Sequence, residues 1–463
     1  MVQCTEFQAV VLAGGKGSRM IDVTAGKPKC LLPIANMPMI WYPLRLLEQS
    51  GFTDAIIITS ESAKGDISAT LDKLGLSIKP EVIGIPDAED IGTADSIRFI
   101  HDKISSDLVV LSSDLIANID ISDTIKMYRK NSASITALFL QTPKPPEDFM
   151  QPGPKSKDKQ ERDLIGIDNE TSRMVFLASA SDFEESLKMS TKLIRKHSNF
   201  TIHSKLLDAH LYIINKWVVN FLVHHKKHSS LKGEVLPYVV KKQLNKPKTI
   251  IEDKNASVIK MDIKKDIFRF VEENPIMIAE KNANELIREM SSFNDHSTDL
   301  DDAYHNDIIR CYAHIINGKY GLRANTVQTY SLANAMVHDW YELKTEGDLE
   351  GSSISPNATV KSTQIQNCRI DENAIISEKT SLKQSYVSNN VTIEPKTRIS
   401  KSIIMNNVTI KEKCVIENCI LCNGCVIEEN TELKDCIVGA QHIVSLGHYT
   451  QEVLTDIDRL MEI

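Results

Sequence analysis

A basic excess is missing from this 463-residue chain: 54 lysines and arginines face 62 aspartates and glutamates, for a formal net charge of −8. Without a basic footprint, direct binding to a nucleic-acid backbone is not expected, and a protein partner fits better. Aromatic residues are scarce at 6%. No apolar run approaches the ~20 residues that a membrane span needs, so no membrane contact is expected. Too few residues precede the first apolar run for a signal peptide, and the cytosol is the expected compartment. The nine cysteines are odd in number and irregularly spaced. They give no disulfide framework and read as reduced thiols.

What is present begins with the stretch Ala9 to Pro33, AVVLAGGKGSRMIDVTAGKPKCLLP. The apolar run Ala9 to Leu12 reads as a buried strand, and the Gly14-Gly15-Lys16-Gly17 turn after it can bring successive backbone N–H groups round an anion. Glycine turns end many buried strands, so the turn alone is weak evidence. Downstream, the spacing predicts a helix over Met39 to Ser50, a strand over Ala55 to Thr59, and a helix around Ile67 to Leu74. A strand around Pro80 to Ile85, a helix from Ala94 to Ile104 and a strand from Leu108 to Leu111 follow. This alternation argues for an α/β fold with a doubly wound, mostly parallel, Rossmann-like sheet whose ligands sit beyond the carboxyl ends of the strands.

Residues 143–163 carry prolines and charges and read as a mobile surface loop. Asp163 to Phe176, a strand at Ala209 to Ile214 and a helix from Lys216 to His225 complete the sheet and its flank. Residues 241–301 read as an irregular excursion, and the chain returns to order near Cys311 to Ile316. On this reading the first domain spans 1–340 and a linker spans 341–351.

Residues 352–450 follow a different pattern. Branched apolar residues recur every six positions: Ile370, Ile376, Leu382; Val387, Ile393, Ile399; Ile404, Ile410, Ile416; Leu421, Ile427, Leu433. Each triplet is displaced by 17 residues from the last. Small side chains recur four positions later, at Ala374, Val391, Val408 and Cys425, and at Thr380, Thr397, Cys414 and Thr431. Three short strands per coil with small residues at tight corners define a parallel β-helix of hexapeptide repeats, expected to be left-handed. Residues 451–463 would be a tail. Cys419, Cys422 and Cys425 mimic a cluster-ligand spacing, but the coil register points them in different directions, so turn packing is the better account. His224, His225 and His228 fall at a predicted helix end, where the dipole favours positive charge, and metal binding there is a poor bet.

LAGGKGSR followed by PKCLLP resembles the signature of the sugar-1-phosphate nucleotidyltransferase family. The resemblance implies a nucleotide site made of Leu12, Ala13, Gly14, Gly15, Lys16, Arg19 and Lys29. It also implies Gly92 and Thr93 near the base and Asp114 at the place of a magnesium ligand. A helix cap by Thr93 explains the Gly92-Thr93 pair too, but its order and distance in the chain favour the family reading, whereas for Asp114 a turn cap weighs equally with a metal ligand. Three departures stand against chemistry: Ser113 replaces the usual glycine before Asp114, no lysine follows Met174 where the sugar phosphate would be gripped, and His210 occupies a usual glycine site.

End to end, the chain resembles the gamma-subunit family of translation initiation factor 2B, in LLP-x-x-N-x-P-x-I-W-Y-P-L, IPDAEDIGTADS, LLDAHLY and EVLPYVV. That resemblance implies a non-catalytic regulatory subunit of the guanine-nucleotide exchange factor for initiation factor 2. The implied partners are the epsilon subunit, the alpha, beta and delta subunits of a decameric complex, and initiation factor 2 itself. No cofactor would be required, and any nucleotide or magnesium site would be vestigial. The alternative is an active sugar-1-phosphate nucleotidyltransferase of GDP-mannose or ADP-glucose pyrophosphorylase type.

Overall fold

A computed structural model of the chain describes residues 4, 6–87, 91–147, 149–154, 162–183, 187, 189–245, 266–271, 307–341 and 352–455. Most of the excursion read at 241–301 and of the linker read at 341–351 lies outside these residues. Ile267, inside the excursion, is buried in a short turn at Ile267–Arg269.

The first domain is built on an eight-stranded sheet. Its strand order is Lys79–Ile85, Asp54–Ser60, Phe7–Leu12, Asp107–Ser112, Leu206–Ile214, Ile135–Gln141, Cys311–Arg323, Leu115–Ala117. The first four strands run parallel, Leu206–Ile214 runs against both of its neighbours, and Leu115–Ala117 runs against the long strand Cys311–Arg323. Phe7–Leu12 shows why the sheet is covered on both faces. Val10 packs into one hydrophobic core while Ala9 and Val11 enter the other, as period-two side chains must. The chain moves outward from this strand on one side and then returns to its other side at Asp107–Ser112. The crevice between those two carboxyl ends is therefore the topological switch point, where α/β sheets bind ligands.

Some predicted elements have other bounds. The helix expected around Ile67 starts earlier, at Glu61, and ends at Leu71, because its exposed first turn carries no apolar period to announce it. The segment expected as Asp163 to Phe176 is two antiparallel strands, Asp163–Asp168 and Met174–Ser179. The loop read as mobile over 143–163 is docked where it is described. Pro152 and Gly153 are buried, the Gly153 N–H donates to the Asp435 carbonyl at 2.7 Å, and Asn418 Nδ2 donates to the Met150 carbonyl at 3.1 Å. A Cβ on Gly153 would stand 2.7 Å from Ile437 Cδ1, and its φ is +81°, so glycine permits both the turn and the close approach.

The second domain is a β-helix with three parallel sheets of seven, six and six strands. Pairing such as Ile370↔Val387 and Ile376↔Ile393 steps by 17 residues, and Leu382, Ile399, Ile416 and Leu433 stack in the third sheet. Val453–Leu454 pair with Ile437–Val438, so the coils run past 450 into the segment read as a tail. Corners are turned by left-handed residues, among them Asn373, Asn390, Asn407 and Gly424. A side-chain ladder helps hold one corner: backbone N–H groups of Glu372, Asn389 and Asn406 donate to the side-chain oxygens of Asn389, Asn406 and Asn423.

The three cysteines diverge as the register requires. Cys419 and Cys425 enter the interior, whereas Cys422 lies outside the coil and is covered by the first domain, its thiol near the Asp22 carbonyl. All nine thiols are free.

Candidate functional site

Parallel pairing of Leu12 with Ser112 places the glycine loop and the Ser113-Asp114 turn side by side at the switch point. Ala13 is tied back by donating to the Ile58 carbonyl at 2.7 Å, and Gly14, Gly15, Lys16 and Arg19 then emerge into solvent. A Cβ on Gly15 would meet nothing within 4 Å, so the cradle is open. Gly17 has φ +72° and a hypothetical Cβ 2.8 Å from Thr24 Cγ2, which makes glycine the fitting residue at that turn.

Lys29 reaches across this crevice, and its Nζ lies 2.6 Å from Asp114 Oδ2. The sequence-predicted lysine and carboxylate are thus in contact, but they are not alone. Arg323, on the strand that returns after the excursion, forks onto the same carboxylate, with Nε 2.9 Å from Oδ1 and Nη2 3.0 Å from Oδ2. Ser112 Oγ donates to Oδ1 at 2.7 Å. Asp114 is 2% exposed. Burial by itself would raise its carboxyl; the charges of Arg323 and Lys29 and the Arg323 hydrogen bonds outweigh that and hold it well below the usual carboxylate range.

The third Arg323 nitrogen, Nη1, lies 2.7 Å from His210 Nε2. A guanidinium only donates, so Nε2 accepts and the imidazole is neutral with its proton on Nδ1. Burial, then the Arg323 and Lys232 charges, push His210 well below its ordinary value. Its φ of +49° sits at a break in strand register between Asp208 and Tyr212, which explains why glycine suits this position and shows His210 turned into the cleft. Beneath it, Asp208 accepts from the His210 N–H at 2.8 Å and from Tyr212 Oη at 2.6 Å; burial raises its carboxyl despite Lys232 nearby. Lys232 is itself paired with Asp163 at 2.8 Å.

This donor set does not fit a divalent ion. Both Asp114 oxygens are engaged by fixed cations, and an ion would need to approach them at about 2.0–2.2 Å through the guanidinium. Among the described residues, no group of three or more His, Cys, Asp or Glu side chains could hold a metal.

Gly92 and Thr93 do other work in the fold. A Cβ on Gly92 would stand 2.3 Å from the Ser229 carbonyl oxygen, and the Ala94 N–H donates to that oxygen at 2.8 Å. The Thr93 hydroxyl accepts from the Leu231 N–H at 2.8 Å, so Thr93 anchors a neighbouring segment instead of capping its own helix. The histidines at the end of helix Lys216–His224 are likewise structural. Arg98 donates to the carbonyls of Leu222, His225 and His228, supplying the cation that a helix C-terminus favours.

Sequence reasoning missed Arg323 and Lys232. The available signal was indirect: a buried Asp114 without a metal partner demands cations from elsewhere in the chain.

His210 has a measurable consequence. Folded, it stays neutral below the ~6.5 at which an unfolded histidine titrates, so only the unfolded chain gains that proton as the pH falls. Its contribution is therefore intact above that value and is lost on acidification, by up to about 1.4 kcal/mol per pH unit. His210→Asn, compatible with positive φ, is expected to flatten the wild-type stability slope between pH 6.5 and 5 in urea titrations. An unchanged slope would contradict the neutral, arginine-bound imidazole.

The fold and site define a nucleotidyltransferase-like domain, with a cation-filled cleft, joined to a left-handed β-helix. More particularly, the chain is similar to eIF2B gamma subunits. Residues 8–149 match the nucleotidyl transferase family and residues 364–453 match the GMPPB C-terminal domain. The chain is 34% identical to translation initiation factor eIF2B subunit gamma of Schizosaccharomyces pombe over 254 residues, 54% of this chain and 54% of that relative. The Dictyostelium discoideum gamma subunit is 27% identical over 411 residues, 82% of this chain and 87% of the relative. The Schizosaccharomyces pombe epsilon subunit also matches, at 24% over 217 residues, covering 45% of this chain and 31% of that relative. Gamma and epsilon subunits are thus of one family. The sugar-nucleotide enzymes stand further off, with glucose-1-phosphate thymidylyltransferase of Neisseria meningitidis 31% identical over 148 residues, 31% of this chain and 50% of the enzyme. No helix among the described residues is long and apolar enough to cross a membrane.

Proposed function

We propose that the chain is a regulatory subunit of the guanine-nucleotide exchange factor for initiation factor 2, that it pairs directly with an epsilon-type subunit in the cytosol, and that it performs no sugar-nucleotide chemistry itself. The observation that carries this reading is the likeness to a gamma subunit across both domains, 82% of the chain. The cleft supports the second half of it. Nucleotidyl transfer needs positive charge that can follow a migrating phosphate, and here Lys29 and Arg323 are both committed to Asp114. The glycine loop Leu12 to Gly15, with Lys16 and Arg19, is on this account a retained phosphate-shaped turn for which no cofactor is required. Alpha, beta and delta subunits would complete the decamer, and initiation factor 2 would be its substrate.

Release of labelled GDP from initiation factor 2 tests this directly. Epsilon-type subunit together with the chain is expected to release GDP faster than epsilon alone, and the two are expected to copurify. Equal rates without copurification would overturn the proposal. Pyrophosphate release from GTP or ATP with mannose- or glucose-1-phosphate is expected to stay at background. Turnover lost on Lys29→Ala would establish the enzyme instead.

A further inference from the structure

The misfit between this cleft and a metal ion has a specific cause. Arg323 is held in place by its backbone: it pairs opposite Leu115, the following Ala324 N–H donates to the Asp114 carbonyl at 2.9 Å, and Gly321 packs so closely that a Cβ would lie 2.7 Å from that of Ala117. The strand pairing thus fixes the point from which the side chain reaches into the cleft, and the hydrogen bonds to Asp114 and His210 hold the guanidinium there. Three of its nitrogens are spent on the Asp114 carboxylate and the His210 imidazole. A carboxylate and a neutral imidazole are the donors that Mn2+, Co2+ and Zn2+ favour. Here they converge on an arginine.

We propose that Arg323 is the resident cation of this cleft, standing where a divalent ion would sit, and that it seals a His210–Asp114 metal site beneath it. The wild-type cleft then admits no divalent ion, and any phosphate entering it does so without one. A second positive ion beside two fixed cations would be repelled, and the arginine fork matches the carboxylate without the dehydration cost of an ion. This deepens the reading of the domain as non-catalytic, but its test uses no exchange assay, so the two can fail separately.

Full-length wild type, R323K and R323Q are titrated with Mn2+ while the free-ion electron paramagnetic resonance signal is followed. Wild type and R323K are expected to bind no Mn2+ at the cleft, and their melting temperatures are expected to coincide in Mn2+ and in EDTA. R323Q is expected to gain one site, weakened at least about tenfold, or 1.4 kcal/mol, when His210→Asn is added. Wild type binding Mn2+ as tightly as R323Q would overturn the proposal, as would a folded R323Q that gains no site. Should R323Q fail to fold, the wild-type melts decide: coincidence supports the proposal, and a Mn2+-dependent rise refutes it.

Discussion

Asp114→Ala is expected to destabilise the chain by about 3–5 kcal/mol, the cost of removing one side of a buried ion cluster. The carboxylate is the anion that both Lys29 and Arg323 contact, and deleting it leaves two cations facing each other across a cavity next to His210. Their burial makes the loss large. Lys29 and Arg323 side chains are only 12% and 14% exposed, so water screens them poorly. A double variant, Asp114→Ala with Arg323→Met, removes one stranded charge and is expected to recover part of the loss, since replacing a buried pair by apolar groups is often nearly neutral. Urea midpoints with equal m-values measure both. A loss below about 1 kcal/mol for the single variant would place the cluster with ordinary surface pairs. The acid dependence has a definite sign. The depressed Asp114 value means its contribution is complete above the ~3.9 of an unfolded aspartate and fades as the pH falls toward the lower folded value.

How much of this was legible in the sequence depends on distance along the chain. The β-helix was readable because each coil repeats its neighbour, and four triplets in phase carry their own proof of register. Asp114 was readable because it lies just beyond a strand of recognisable pattern, and Lys29 because it sits in the PKCLLP motif. Arg323 was not, because it follows Asp114 by 209 residues and arrives on a strand that re-enters the sheet after a segment without periodicity. The docking of Pro152 and Gly153 was not legible for a different reason. Prolines and charges describe loops well, but Pro152 and Gly153 serve as a seam to the β-helix, and only tertiary packing tells a seam from a free loop. His210 shows the opposite case. Its identity at a glycine site predicted an obstructed cleft, while its role as an acceptor for Arg323 required the fold.

The two domains meet in a packed seam, and Tyr386→Ala is expected to cost about 3–5 kcal/mol there, in the range for large aromatic truncations. Tyr386 stands on a β-helix strand between Arg369 and Ile403 in register, and its ring is stacked on His338 of helix Val327–Trp340 at 5.6 Å between centroids. Its hydroxyl donates to the Asn334 carbonyl at 2.7 Å. Asn334 in turn accepts from the Ala35 N–H at 2.9 Å, and Tyr330 one turn earlier donates to the Pro33 carbonyl at 2.6 Å. One helix thereby joins the β-helix to the chain just after Lys29. On the other side Asn36 Nδ2 donates to the Val387 carbonyl at 2.8 Å, closing the seam directly. Tyr386→Phe keeps the ring and loses one hydrogen bond, so about 1 kcal/mol is expected. The ratio separates packing from polarity: if both variants cost the same, the hydroxyl and not the ring holds the domains together. Limited proteolysis offers the spatial check, since a loosened seam should expose the buried Pro152 and Gly153 while the coil interior around Ile410 stays protected.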